Sequence, residues 1–311
     1  NSWRDLGQEL ERLGCDGIEG VWGGEDLQKD LPAELILGYH LIFYPDWLDF
    51  YRDDRAALKQ KFGSLEAVAS FYGGLGPDTL LEQYRADLRR AVNLGARYVV
   101  FHVSDVSLEE GYTYRWLHTN QEVIDAAVEV VNLILGEERW PFEFLVENQW
   151  WPGFTFTEPE ETARLLEGIR FAGKGILLDT GHLMNACTEL KTEAEGADYI
   201  RRMLNRHGSL AKWVRGVHLH QSLSGAYVKA HTGSLPAGLP EDYMERFGVS
   251  YQHILQIDQH RPWTDPAILS VLEQIEPRYL THELSSRGRM ARAEAVSVQT
   301  RLLQQGGRMR V

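Results

Sequence analysis

Cysteine is nearly absent: Cys15 and Cys187 are the only two among 311 residues, and neither has a partner at ligand spacing. Both therefore read as core packing rather than redox groups, which fits a reducing compartment. No apolar run approaches the roughly twenty residues a membrane span requires, and no hydrophobic leader is read at the start. The expectation is a soluble, cytoplasmic protein without a membrane role. Clusters of lysine and arginine are missing too, and the formal net charge of −13 repels polyphosphate. Long nucleic acid is thereby disfavoured as a partner. A small-molecule substrate is expected, and association into a homo-oligomer is left open.

With 43% hydrophobic residues, the chain can bury one large core, so residues 1–311 are read as a single domain. Leu6, Leu10 and Leu13, spaced by Asp5, Glu9 and Glu11, mark an amphipathic helix over residues 1–13 that Gly14 stops. Short apolar runs follow at 17–21, 35–42, 98–104, 142–148, 175–178, 214–220 and 278–284, and each reads as a strand. Helical patterns lie between them at 77–94, 120–135, 157–171, 189–207 and 265–275, with a last helix at 291–303. Thr157 looks like the cap of the third of these. Two excursions, at about 44–76 and 221–264, are too long for plain connections and suggest a cover over one end.

Strands alternating with helices over this length predict an α/β protein, a (β/α)8 TIM barrel. Seven strands can be counted, and the chain opens on a helix instead of the usual strand. The first strand is therefore missing, or is supplied from the C-terminus by Arg308-Met309-Arg310-Val311.

The chemistry concentrates where the strands end. In Gly175-Ile176-Leu177-Leu178-Asp179-Thr180-Gly181-His182, an apolar run stops at an acid and a histidine three apart, and the turn through Thr180 and Gly181 lets both point into one space. Other strands end in His40, His102, Glu147, His218 and Glu283. A barrel gathers all strand carboxyl ends at one mouth, so residues from 40 to 283 converge there. Three carboxylates at a buried mouth repel unless a cation or proton neutralises them, and a divalent metal is the expected answer. Imidazole with carboxylate suits zinc first, with manganese, iron or cobalt as alternatives. His218 and His220 share a face, so either qualifies. Asn148, Gln149 and Gln221 are placed to support the ligands by hydrogen bonds. Trp47, Trp150, Trp151 and Trp263, on mouth-side loops, suit a large planar ligand. His118, His207, His253, His260 and His282 read as structural.

The segments Val146-Glu147-Asn148, Leu178-Asp179-Thr180-Gly181-His182 and Gly216-Val217-His218-Leu219, with Glu283, resemble the xylose isomerase-like TIM barrel superfamily, also called the type 2 AP endonuclease superfamily. The resemblance covers nearly the whole chain apart from the first strand. It implies one metal on Glu147, Asp179, His218 and Glu283, as in sugar epimerases and isomerases. It also implies an extended ligand pattern like that of endonuclease IV, through His40, His102, His182 and His231. That pattern's third metal uses an aspartate two residues before its last histidine, where this chain has Lys229. Two ions are therefore expected rather than one or three, and Lys229 is assigned to an anionic substrate group.

The leading expectation is a divalent-metal-dependent hydrolase of a phosphodiester in a small or medium-sized molecule, of the kind that remodels cobamides. The alternative is a sugar isomerase or epimerase with one ion and a Glu147/Glu283 acid–base pair. Glu147, Glu283 and His182 are the catalytic candidates; Lys229, Trp150, Trp151, His220 and Asn148 are the substrate-binding ones.

Overall fold

The computed structural model describes residues 3–24 and 32–306. Among these, seven parallel strands form a nearly closed barrel in the order of the chain. They are β1 Ile18–Val21, β2 Ile36–His40, β3 Tyr98–His102, β4 Glu143–Glu147, β5 Lys174–Asp179, β6 Val214–His218 and β7 Tyr279–Thr281. Parallel strands covered on both faces read as continuous apolar runs, which is why these segments stand out in the sequence.

Alternation along each strand divides two cores. Tyr98, Val100, Leu145 and Leu177 fill the barrel interior with Tyr279 packed beside them, while Val99, Phe101, Phe144, Val146, Ile176, Leu178 and Val217 pack in the main core towards the helices. The same parity, carried one step beyond the interior layer, points His40, His102, Glu147, Asp179, His218 and Glu283 inward at the mouth. Register then sets their heights, with His102 opposite Glu147 and Asp179 opposite His218. The interior is narrow: a Cβ on Gly38 would stand 2.2 Å from Cζ of Tyr98, so the tyrosine ring occupies the room that glycine leaves.

β1 and β7 do not pair, which leaves a seam where an eighth strand would lie. The stretch Arg308-Met309-Arg310-Val311 lies outside the described residues. Beside the seam the first helix, Trp3–Leu13, packs on the last, Arg289–Gln305, through an Arg289–Glu9 ion pair and a hydrogen bond from Thr300 Oγ1 to the Leu13 carbonyl.

Helix Pro159–Gly168 begins later than its sequence pattern suggests. Thr157 bonds Thr155 rather than capping it, and Pro159 takes the first position, where a missing N–H costs nothing. The second excursion holds a fifteen-residue helix, Tyr243–Ile257, capped by Asp242. It meets the first excursion through a Phe62–Tyr243 ring stack at 3.8 Å and a hydrogen bond from Arg246 Nη2 to the Lys61 carbonyl. Together the two excursions cover the mouth.

An ionic knot fastens this cover. Lys61 Nζ stands 2.7 Å from both Asp46 and Asp49, and His118 Nε2 stands 3.2 Å from Asp49. Asp105, on the loop after β3, accepts from the backbone N–H groups of Trp47 and Leu48 and so caps helix Leu48–Tyr51. Burial raises the Asp46 carboxyl to about 7 despite the nearby ammonium; burial also acts upward on Asp49, but hydrogen bonds from His118 and Lys61 override it and hold Asp49 at about 2. Because Asp46 keeps its proton in the fold at a pH where the unfolded chain has lost it, its contribution to stability declines as pH rises from about 4 to about 7. Lys61→Met leaves the three aspartates without their ammonium. It is expected to cost about 3–5 kcal/mol at pH 8, as breaking a buried ion pair does, and less at pH 5, where protons replace the lysine. Urea unfolding at both values checks this, and equal losses would contradict it.

Candidate metal centre

Among the described residues, strand ends, the turns after them and the end of the helix in the second excursion bring ten ligand side chains into three neighbouring groups: His40, His102 and Glu147; Glu147, Asp179, His218 and Glu283; and His182, His220, Asp258 and His260. Within each group one ligand atom per residue lies within 4.8 Å of the others.

Glu147 joins the first two groups. Its Oε2 faces His40 Nε2 at 3.3 Å and His102 Nε2 at 3.1 Å, while its Oε1 stands 3.1 Å from His182 Nδ1 and 3.6 Å from His218 Nδ1. The two Nε2 atoms of His40 and His102 are 3.0 Å apart. His40 donates from Nδ1 to the Leu41 carbonyl at 2.8 Å, which leaves Nε2 with its lone pair towards the centre. Such an outer hydrogen bond is what orients a metal-binding imidazole.

Asp179 caps the short helix Thr180–Asn185, accepting from the His182 backbone N–H at 2.6 Å. The cap turns His182 to the same side as its own Oδ2, which stands 2.9 Å from His220 Nε2. Gly181 is required at this point, since a Cβ there would fall 2.0 Å from Cε1 of His220. Behind the carboxylate, the Asn148 side chain holds the Asp179 backbone by both its N–H and its carbonyl, at 2.8 and 3.0 Å. The His220 carbonyl accepts from Trp263 Nε1 and Thr180 Oγ1.

Buried polar atoms test whether cations fit. Glu147 Oε1, His218 Nδ1, Glu283 Oε2, His220 Nδ1 and Asp258 Oδ1 are buried and form no hydrogen bond. Three of them belong to one ligand group, where His218 Nδ1 lies 2.8 Å from Glu283 Oε2. Buried donors and acceptors are normally paired, so a shared cation is the chemical group this donor set accommodates.

Charge follows the same logic. Burial pushes the Glu147 and Glu283 carboxyls up, but the imidazoles beside them, His102 and His218 for Glu147 and His218 and His260 for Glu283, outweigh it and hold both well below the usual carboxylate range. Asp179 goes the other way, raised by burial. His182 and His218 rise well above the ordinary imidazole range although burial opposes it, because Asp179 and Asp258 face the first and Glu19, Glu283 and Glu147 the second. His260 reaches about 9 against burial through Asp258 and Glu283. His102 is lowered by burial, whereas the Glu147 carboxylate raises His40.

The third group corrects the sequence reading. His231 lies at the end of helix Gly225–His231, exposed and stacked on Tyr227, outside all three groups. Lys229 is also exposed and pairs with Glu189 at 2.7 Å. Asp258 and His260 occupy the places expected of a ligand pair two residues apart, so His260 is a candidate ligand and not a structural histidine. The spacing Asp258-Gln259-His260 is visible in the sequence as the very pattern sought at residues 229–231. Trp47 and Trp263 are buried supports, donating to the carbonyls of Ser104 and His220, and Asn148 is fully buried behind Asp179. His118, His207 and His253 are held by Asp49, Thr162 and Tyr227, and His282 meets Gln299 of the last helix.

A cavity of about 1880 Å³ opens over the centre and continues along the seam. Trp150 and Trp151 line it together with Phe43, which is 48% exposed and lies 4.3 Å from the His102 ring.

The chain belongs to the xylose isomerase-like TIM barrel family. The family model matches residues 8–297. Among solved structures, endonuclease IV from Thermus thermophilus superposes with a TM-score of 0.53 at 17% identity, covering 98% of this chain and 95% of the other. A D-tagatose 3-epimerase-like protein gives 0.52 at 14% identity over 96% and 92%, and mannonate dehydratase from Streptococcus suis serotype2 gives 0.53 at 14% over 97% and 89%. At these identities the likeness is one of fold. No curated protein matches the chain. Among the described residues, no helix is long and apolar enough to cross a membrane.

An entering dication must displace the protons that carboxylates hold on His182 and His218, so binding releases protons and weakens as pH falls. The apparent zinc affinity is expected to drop by about tenfold per pH unit for each proton displaced between pH 8 and pH 6. Chelator competition measures it, and an affinity independent of pH would contradict the assignment.

Proposed function

We propose that the protein is a divalent-metal-dependent hydrolase of a phosphodiester in a small or medium-sized molecule. The observation that carries this reading is the shared Glu147 carboxylate, whose two oxygens face different ligand groups. A bridging carboxylate between neighbouring cation sites suits chemistry in which the attacking and the leaving oxygen must both be served. Cations held there would lower the pKa of water and offset the phosphate charge, zinc being the best match to the imidazole-rich sets.

The chain's own residues do the rest. His40, His102, Asp179, His218 and Glu283 hold the charges in place around Glu147, and His182, His220, Asp258 and His260 offer a third set beside them. Among the described residues, the basic side chains lining the cavity are all arginines, Arg97, Arg278, Arg289 and Arg292. The first two directly precede β3 and β7, at the end away from the ligands, and Arg289 is engaged by Glu9. A single phosphodiester needs only the bound cations. Phe43, Trp150 and Trp151 present apolar surface next to the His102 and His182 rings, which suits a bulky planar arm on the substrate and keeps bulk water away. A cobamide is a phosphodiester of this description.

The isomerase reading draws on Glu283, whose side chain is 32% exposed in the cavity while Glu147 is fully buried. There one ion on Glu147, Asp179, His218 and Glu283 would suffice, with Glu283 and Glu147 exchanging protons with a sugar carbon. His40 and His102 have no task in that scheme.

The two readings part at His102. With the zinc-loaded protein, a cobamide or bis(p-nitrophenyl) phosphate is expected to be cleaved at the phosphoester, followed by phosphorus NMR. His102→Ala should remove one ion and slow cleavage at least about 100-fold, roughly 2.7 kcal/mol of barrier. Epimerisation of a ketohexose by a one-ion protein, undiminished in His102→Ala, would contradict the hydrolase reading.

A further inference from the structure

The geometry points to Glu19 as a positioning residue that fixes the proton and the orientation of His218, so that the imidazole presents Nδ1 to the cation held with Glu147, Asp179 and Glu283. This rests on that ligand group holding a cation and on no particular reaction.

Glu19 is on β1, far from every ligand in sequence, and its side chain is 8% exposed. Its Oε2 stands 3.0 Å from His218 Nε2, 2.8 Å from the Tyr98 hydroxyl and 3.3 Å from Thr281 Oγ1. A carboxylate only accepts, so His218 donates from Nε2 and Tyr98 from its hydroxyl. With Nε2 donating to Glu19, the nitrogen left for a cation is Nδ1, the buried atom that forms no hydrogen bond and lies 2.8 Å from Glu283 Oε2. His218 is fully buried, so its ring is held by the side chains around it. The other tautomer would aim an N–H at the ligand group and block it.

The barrel is built around this contact. Tyr98 reaches Glu19 across the interior because Gly38, which pairs with both Glu19 and Tyr98 in the sheet, leaves its side-chain space empty. Thr281 contributes from β7, so the hydrogen bonds of Glu19 also tie together the two strands that flank the seam. A carboxylate behind a metal-bound imidazole raises its basicity as well as orienting it, and loss of such a partner typically weakens metal binding by about 10–100-fold.

The test compares the wild-type protein with Glu19→Gln and Tyr98→Phe, using zinc alone. Elemental analysis counts the ions, chelator competition measures each affinity, and urea unfolding of the metal-free proteins reports the fold. Glu19→Gln is expected to weaken one zinc equivalent by about tenfold or more and to leave the others at wild-type affinity. Tyr98→Phe, which retains the carboxylate, should weaken the same equivalent by less. If every equivalent in Glu19→Gln keeps wild-type affinity, or all weaken together with the metal-free stability, the assignment is overturned while the ligand group stands. A wild-type protein that takes up no zinc overturns both.

Discussion

Burying carboxylates is the constraint on which this molecule depends. Glu147 and Asp179 are fully buried at the mouth of the barrel with Glu283 beside them, and the energetic cost of desolvating such groups is prohibitive without opposite charge close by. Everything nearby answers that constraint. Imidazoles from several elements surround the acids, Asn148 and Thr180 hold the backbones that carry them, and Trp263 pins the turn at His220. Parallel strands supply the means, because six of the seven carry an inward residue, at or just past their end, into one small volume.

Much of this can be read from the sequence, for a physical reason. A strand covered on both faces must be apolar throughout, so an acid or histidine at its end is conspicuous. His40, His102, Glu147, Asp179, His218 and Glu283 announce themselves this way, and all six fall within the first two ligand groups. The strands are legible to within a few residues for the same reason.

The residues that escape sit where that contrast is lost. Asp258 and His260 follow an amphipathic helix within a long excursion, with no apolar strand to frame them, and so read as loop polarity. His231 is assigned through the resemblance to the endonuclease IV ligand pattern, whereas the fold brings in the pair that stands at the end of helix Tyr243–Ile257. Glu19 is hidden differently. It lies in the middle of a four-residue strand whose burial is only partial, and its significance comes from Tyr98, His218 and Thr281, which meet it only in three dimensions. The short helix at Thr180–Asn185 is obscured because its cap, Asp179, is also a ligand candidate.

The most direct test of the account is anomalous diffraction from crystals grown with zinc, recorded on either side of the zinc edge. Peaks are expected within about 2.0–2.3 Å of ligand atoms in the Glu147–Asp179–His218–Glu283 group and in the His40–His102–Glu147 group. Anomalous signal absent from both groups, with protons alone joining the carboxylates and imidazoles, would contradict it.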